Sequence, residues 1–487
     1  MTDTSERFED AMETEIIESS MNFGVNFDYK AIWIKDIQNC ADNLEIQLDK
    51  AKPKWKDIDN LLNKKRQDDS SALVKSRSTL TPVASSSFSP PSSSSSACST
   101  LKTNLSTDDR DRVLELYDTL IKDEDNCWVL KATKRQAILK NMKPQSVEAK
   151  MRKFVATLTY VHPSMSFVLD TNDLNWVDYF SKEELEELKS SGQPVLRHID
   201  DELKAKFEEI EKLNSALDAY NFGRLIDHHP IEQPLLAWLS QTLMQTAKFF
   251  IPGTRTPVQN MLESDKLYYL WSFLNTIYHN SNIEALGKEK TSISNANSLN
   301  AKRKLSATEE IVREKIGRRL DTIYIGSGVE LGGLEAGPTR NNTKEFEDSM
   351  MKLPLVFKDM LSEIASRRPS LLYKAHVLGY NINGNSVRLI DADVPGGHIV
   401  RIRRTDELKY PSNNDDYILK IISLLEIASY GKTIIDDTYS LCCKTRVPPS
   451  FSSNSSILPP SFVPDNANRT QSSNSSGSGN KSRKKTK

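Results

Sequence analysis

Two carboxylates mark where this sequence could do chemistry. Asp321 lies in the β-prone run RRLDTIYI and Glu335 in VELGGLEAG, with the turn residues Gly326-Ser327-Gly328 between them. The pattern predicts a hairpin carrying one acid on each arm. Acids on adjacent strands of a half-buried cleft attract a divalent cation, because each alone is poorly neutralised there. An ordinary solvated hairpin face carries the same two residue types. Other metal chemistry finds no support in the spacing. Cys40, Cys98, Cys127, Cys442 and Cys443 form no C-x-x-C pair, and the adjacent His228-His229 cannot share a helix face as an i, i+4 pair would.

Arginines form the second candidate group. Arg318 and Arg319 lead the first acidic strand. In the run His398–Arg404, Val400 and Ile402 alternate with Arg401 and Arg403. Period two predicts apolar groups on the core and guanidinium groups outside. Such a face either contacts phosphates or is simply solvated.

The elements that must position these groups follow from periodicity. Met261–Tyr278 reads as an apolar helix, Lys288 to Lys304 as a polar loop, and the stretch from Phe346 to Ile364 as a helix broken near Pro354. Asn383-Gly384 and Pro395-Gly396-Gly397 punctuate three strands, and Asn414–Tyr430 closes with a helix. The fold class is therefore α/β (α+β), a mixed sheet with flanking helices. Residues 107–255 precede it as a mostly helical region: Ser106-Thr107 supplies an N-cap, and Ser181 ahead of Glu184 has capping-box spacing. Residues 1–69 read as a helical or partly disordered appendage, with one apolar stripe over Ala31–Lys52. Residues 70–106 and 447–487 are Ser-rich and predicted to be disordered.

Composition bounds the rest. The chain has 487 residues, 65 Lys+Arg against 66 Asp+Glu and a net charge of -1, so it is no uniformly basic nucleic-acid wrapper. No apolar run approaches the ~18–20 residues of a membrane helix. The acidic start lacks a signal pattern, which predicts a nuclear or cytoplasmic protein with no membrane partner. The terminal KSRKKTK suits a nuclear-import signal, a weak nucleic-acid tail or a solubilising end.

From Met261 to Asp437 the chain resembles the PD-(D/E)XK nuclease-like superfamily, in the degenerate form seen in a group of fungal proteins. The resemblance rests on a helix bearing an acid (Glu263 or Glu309), on Gly317-Arg318-Arg319-Leu320-Asp321, on Glu330-Leu331-Gly332-Gly333-Leu334-Glu335-Ala336-Gly337-Pro338, and on a long helix starting near Lys344. It implies a restriction-endonuclease-like core at 256–440 and phosphodiester hydrolysis with Mg2+ on Asp321 and Glu335. It also implies a lysine that supports the attacking hydroxide. That lysine's place is taken by Gly337, so Lys344 or Lys352 from the following helix would have to reach the cleft, or turnover is weak or lost. The resulting expectation is a nuclease-like protein that binds nucleic acid, through Arg318, Arg319, Arg401 and Arg403. The alternative is a non-catalytic interaction or scaffold protein whose helical region meets protein partners.

Overall fold

The structure is a computed structural model and describes residues 105–253, 261–301, 314–337, 347–445 and 458–464. All belong to one compact unit, Ala97–Lys487. The expected Ala31–Lys52 helix, nearly all of the first Ser-rich segment, Glu309, Lys344 and the basic end lie outside the described residues.

The chain begins with α1 (Thr107–Ile121), α2 (Lys131–Lys140) and α3 (Val147–Val155). Ser106 caps α1 by accepting from the Asp109 amide, as its position predicted. A three-residue strand, β1 (Val168–Asp170), follows, then α4 (Lys182–Ser190). The α4 capping box is complete: Ser181 accepts from the Glu184 amide, and the Glu184 carboxylate accepts from the Ser181 amide. Next come α5 (Asp201–Ile210), α6 (Ala216–Leu225) and α7 (Pro234–Ala247). Met261–Tyr278 forms two short helices, α8 (Glu263–Tyr269) and α9 (Phe273–Thr276), rather than one. At the break Trp271 is fully buried and its indole N–H donates to the Gly384 carbonyl.

The expected loop from Lys288 contains structure instead: the end of β2 (Glu284–Thr291), then α10 (Ile293–Asn300). β2 is an edge strand, where lysines are tolerated because one side faces no neighbour, so its polarity concealed it. The acidic hairpin is β3 (Arg319–Gly326) and β4 (Val329–Gly337), closed by Ser327 and Gly328, both at positive φ. A π-helical turn, Glu347–Lys352, leads into α11 (Leu353–Arg367), so Pro354 sits in a first turn. Then come β5 (His376–Asn383), β6 (Ser386–Asp393), β7 (Val400–Arg404) and β8 (Leu408–Lys409). The closing helix α12 (Tyr417–Lys444) runs well past its expected end.

The eight strands form one mixed sheet, ordered β1-β7-β6-β5-β4-β3-β2, with β8 paired to β6. β2–β3–β4 is an antiparallel meander, and α11 crosses over to β5, which runs parallel to β4. The region read as mostly helical also supplies a strand, β1, parallel to β7 at the far edge. Its helices α5 to α7 share one hydrophobic core with β3 to β7, α11 and α12. A second core joins α1, α3 and α4 with the start of β1. Helices cover both faces of the sheet. A Cβ on Gly379 would lie 2.3 Å from the Phe357 ring of α11, and one on Gly431 of α12 would lie 1.8 Å from the Tyr380 hydroxyl. Gly379 and Tyr380 are consecutive, so α11 and α12 lie on opposite faces. Among the described residues no helix is long and apolar enough to cross a membrane.

Within the tail read as disordered, residues 458–464 have a defined seat. Leu458 is fully buried in the main core and Phe462 packs on the second. The Ser-rich composition hid this short apolar Leu-Pro-Pro-Ser-Phe segment.

Candidate active site

The Thr322–Leu334 pairing of β3 and β4 puts Asp321 across from Glu335, one step further along, so both side chains leave the sheet on one face. Asp321 Oδ2 accepts from the Ala336 amide at 2.7 Å, which fixes the carboxylate against the β4 backbone beside Glu335. Asp321 is half-buried and Glu335 is buried. Lys352 Nζ lies 2.6 Å from Glu335 Oε1, its side chain 24% exposed. Of the two lysines that the resemblance named as candidates, Lys352 reaches Glu335. Lys344 lies outside the described residues.

Lys352 gets there through backbone geometry. It ends the π-helical turn just before α11, and that turn is held from across the sheet. Arg404 donates to the Ser349 carbonyl at 2.7 Å and to its hydroxyl at 2.9 Å, while also pairing with Asp170 at 2.6 Å. Arg404 counts among the candidate arginines of the run His398–Arg404, but Asp170 was not singled out in the sequence, and only the β1–β7 pairing brings the two together.

Asp321 and Glu335 lie at the start of β3 and the carboxyl end of β4, where α11 begins. Open α/β sheets commonly bind ligands outside the carboxyl ends of parallel strands. Asn381 of β5, in register with Glu335, adds a buried amide to the same row. An open groove of about 750 Å3 lies alongside, with Ile323 and Ile325 on its floor and Lys290 and Arg319 among its walls. Ile323 and Ile325 step by two from Asp321, so the groove opens on the same face. Glu330 also borders it, but its carboxylate is engaged by the Ser292 hydroxyl and the Ile293 and Ser294 amides at the start of α10.

The two carboxylates are hard oxygen donors on neighbouring strands, with a cation beside them. That suits Mg2+, which commonly takes one or two carboxylates and keeps several waters. Among the described residues no group of three or more His, Cys, Asp or Glu gathers in a metal-binding cluster.

The arginines divide. Arg319 is exposed beside the groove. Arg318 is half-buried; burial pulls its guanidinium below the usual value and Asp359 partly offsets this. Arg401 and Arg403 correct the expectation of an outward basic face, for both are buried. Arg401 makes a paired contact with Asp393 and donates to the Leu188 and Ser191 carbonyls of the α4 end. Arg403 pairs with Asp391 at 2.6 Å, and Asp391 also meets His376 at 2.8 Å. Burial alone would raise the Asp391 carboxyl, but His376 and Arg403 hold it below its usual value. Alternation misled here because β7 is an interior strand with helices over both faces, so outward positions are buried as well.

Comparison of the chain with protein-family models, with curated proteins and with solved structures returns no match. The functional reading therefore rests on this geometry.

Proposed function

We propose that the chain is a nuclease-like protein whose α9–β2–β3–β4–α11–β5 segment is a restriction-endonuclease-like core acting on phosphodiester bonds. The observation that carries this is the Lys352–Glu335 contact beside Asp321. A lysine from the helix following β4 brings an ammonium to the acids that the degenerate motif, with Gly337 in the lysine position, would leave without one. Asp321 and Glu335 are the metal ligands in this reading. Mg2+ bound there would polarise a phosphoryl oxygen and lower the pKa of a bound water. The Lys352 ammonium stands where negative charge develops on the reacting phosphate, the placement from which preorganised electrostatics gives its largest benefit. Arg319 and Lys290 supply cations along the adjacent groove for the flanking phosphates.

The resting pairing of Lys352 with Glu335 also implies a slow enzyme, since the lysine must share Glu335 with an incoming cation. The test is cleavage of supercoiled plasmid and single-stranded oligonucleotides with Mg2+ or Mn2+, comparing wild type with Asp321→Ala, Glu335→Gln and Lys352→Ala. Metal-dependent cleavage lost in all three supports the proposal. Cleavage that survives Asp321→Ala would refute the site. Nucleic-acid binding with no cleavage in wild type would reduce the protein to a binding module.

A further inference from the structure

The strongest feature outside this site is a buried charged pair on α11 that faces the chain's own tail. Lys358 and Asp359 are both 1% exposed. Lys358 Nζ donates to the Pro459 carbonyl at 2.6 Å and to the Ser461 hydroxyl oxygen at 3.1 Å. That hydroxyl in turn donates to Asp359 Oδ1 at 2.7 Å. The other Asp359 oxygen accepts from the Asn295 side chain at 2.6 Å. The Phe462 amide donates to the Ser166 hydroxyl at 2.9 Å. Leu458 is fully buried in the main core and Phe462 rests on the second core.

These contacts are those of a bound peptide rather than of a passing tail. An apolar anchor sits at each end, one main-chain carbonyl is read by a buried ammonium, and one hydroxyl is read as donor and acceptor at once. Two prolines pre-set the extended backbone, which lowers the ordering cost of binding. We propose that the Lys358–Asp359 face of α11 is a recognition site for an extended Leu-Pro-Pro-Ser-Phe segment, filled in cis by residues 458–464 and vacated by negative charge at Ser461. The selectivity follows from Asp359. A neutral hydroxyl satisfies its carboxylate, whereas an anionic group would lose the proton that Asp359 accepts and set two negative charges against the single Lys358 ammonium, already engaged by the Pro459 carbonyl, in a water-poor site. A partner that uses this site must therefore present the same apolar, proline-bearing, uncharged segment in competition with the tail. Burial draws the Lys358 ammonium down to about 8, with Asp359 partly offsetting the fall.

The test uses the full chain. A fluorescein-labelled peptide spanning 456–466 is titrated against wild type, Ser461→Glu and Leu458→Asp, with anisotropy as readout. Hydrogen exchange at the Phe462 amide reports whether the tail is seated. The tethered segment competes at an effective concentration on the order of mM, so micromolar peptide should not bind wild type. It should bind Ser461→Glu and Leu458→Asp at least about tenfold more tightly, with the Phe462 amide deprotected in both. Adding Lys358→Met to either variant should abolish the capture. Equal binding to wild type and both variants, or no binding to either variant, would overturn the proposal. So would a Phe462 amide that stays protected in Ser461→Glu. None of these readouts depends on phosphodiester cleavage.

Discussion

The start of the β3–β4 hairpin and the β6–β7 pair are built from the same letters and reach opposite ends. At Asp321 and Glu335, acids on neighbouring strands meet a partly exposed lysine beside an open groove. At Asp391 and Asp393, two acids of one strand, β6, meet Arg403 and Arg401 of its neighbour β7, and the whole group is buried. What separates them is cover. The β6–β7 charges lie under the end of α4, which supplies carbonyls from Leu188 and Ser191 to complete the guanidinium hydrogen bonds. The β3–β4 acids sit where the covering helix is only beginning. A charged strand pattern therefore becomes buried and paired or left accessible according to what the next layer does.

The sharpest way to break this comparison is to open the buried group. Arg401→Ala should cost about 3–5 kcal/mol, because it strands the Asp393 carboxylate in the interior. Urea denaturation measures this, and a loss under about 1 kcal/mol would mean that water reaches the pair. Replacing both partners, as Arg401→Met with Asp393→Leu, should recover most of the loss.

The open site should behave the other way, losing chemistry before stability. Lys352→Ala should lower cleavage by roughly 10²-fold, the usual scale for removing one preorganised charge. Among the described residues a Cβ at Gly337 would meet only the Ile382 carbonyl, at an ordinary contact distance of 3.9 Å. Gly337→Lys in the Lys352→Ala background should restore much of the rate. If it restores none while the protein stays folded, the lysine account is wrong.

A smaller effect separates the arginines. Arg319→Ala should reduce the slope of log binding against log salt by ~1, as expected for one phosphate contact. The buried Arg401 and Arg403 should contribute no such contact, so any slope change on their replacement should track unfolding.

The smallest effect concerns pH. Lys358 is lowered from 10.5 to about 8 on folding, so between those values the unfolded chain binds more protons. Stability contributed at this position should thus rise as pH goes from about 8 towards 10, and stay constant below that window. The stability difference between wild type and Lys358→Met, measured across this range, should show the rise. Arginine cannot titrate there, so Arg401→Met should show no comparable trend.

Much of the hairpin was legible in the sequence, because β3 and β4 are apolar, short and joined by residues suited to a tight turn. The two acids follow from that register alone. Lys352 was one of two lysines left open, since nothing local says that a π-helical turn aims it inward. The burial of Arg401 and Arg403 was not legible at all. It depends on α4, over 200 residues earlier in the chain, closing over β7. The edge strand β2 was missed for a related reason: its polarity reflects a missing neighbour rather than a loop.

The pairing of β1 with β7 joins Val168 to Val400. During synthesis the first helices emerge with that strand edge already made and its sheet neighbour β7 not yet translated. Arg404, which needs Asp170, is further still behind. The sheet that aims Lys352 can therefore close only after nearly the whole chain has left the ribosome, and such long-range closure is slow. A chain built this way stays unassembled while it is being made, and a truncated product ending before β7 would carry both acids without the strand that holds the turn bearing Lys352.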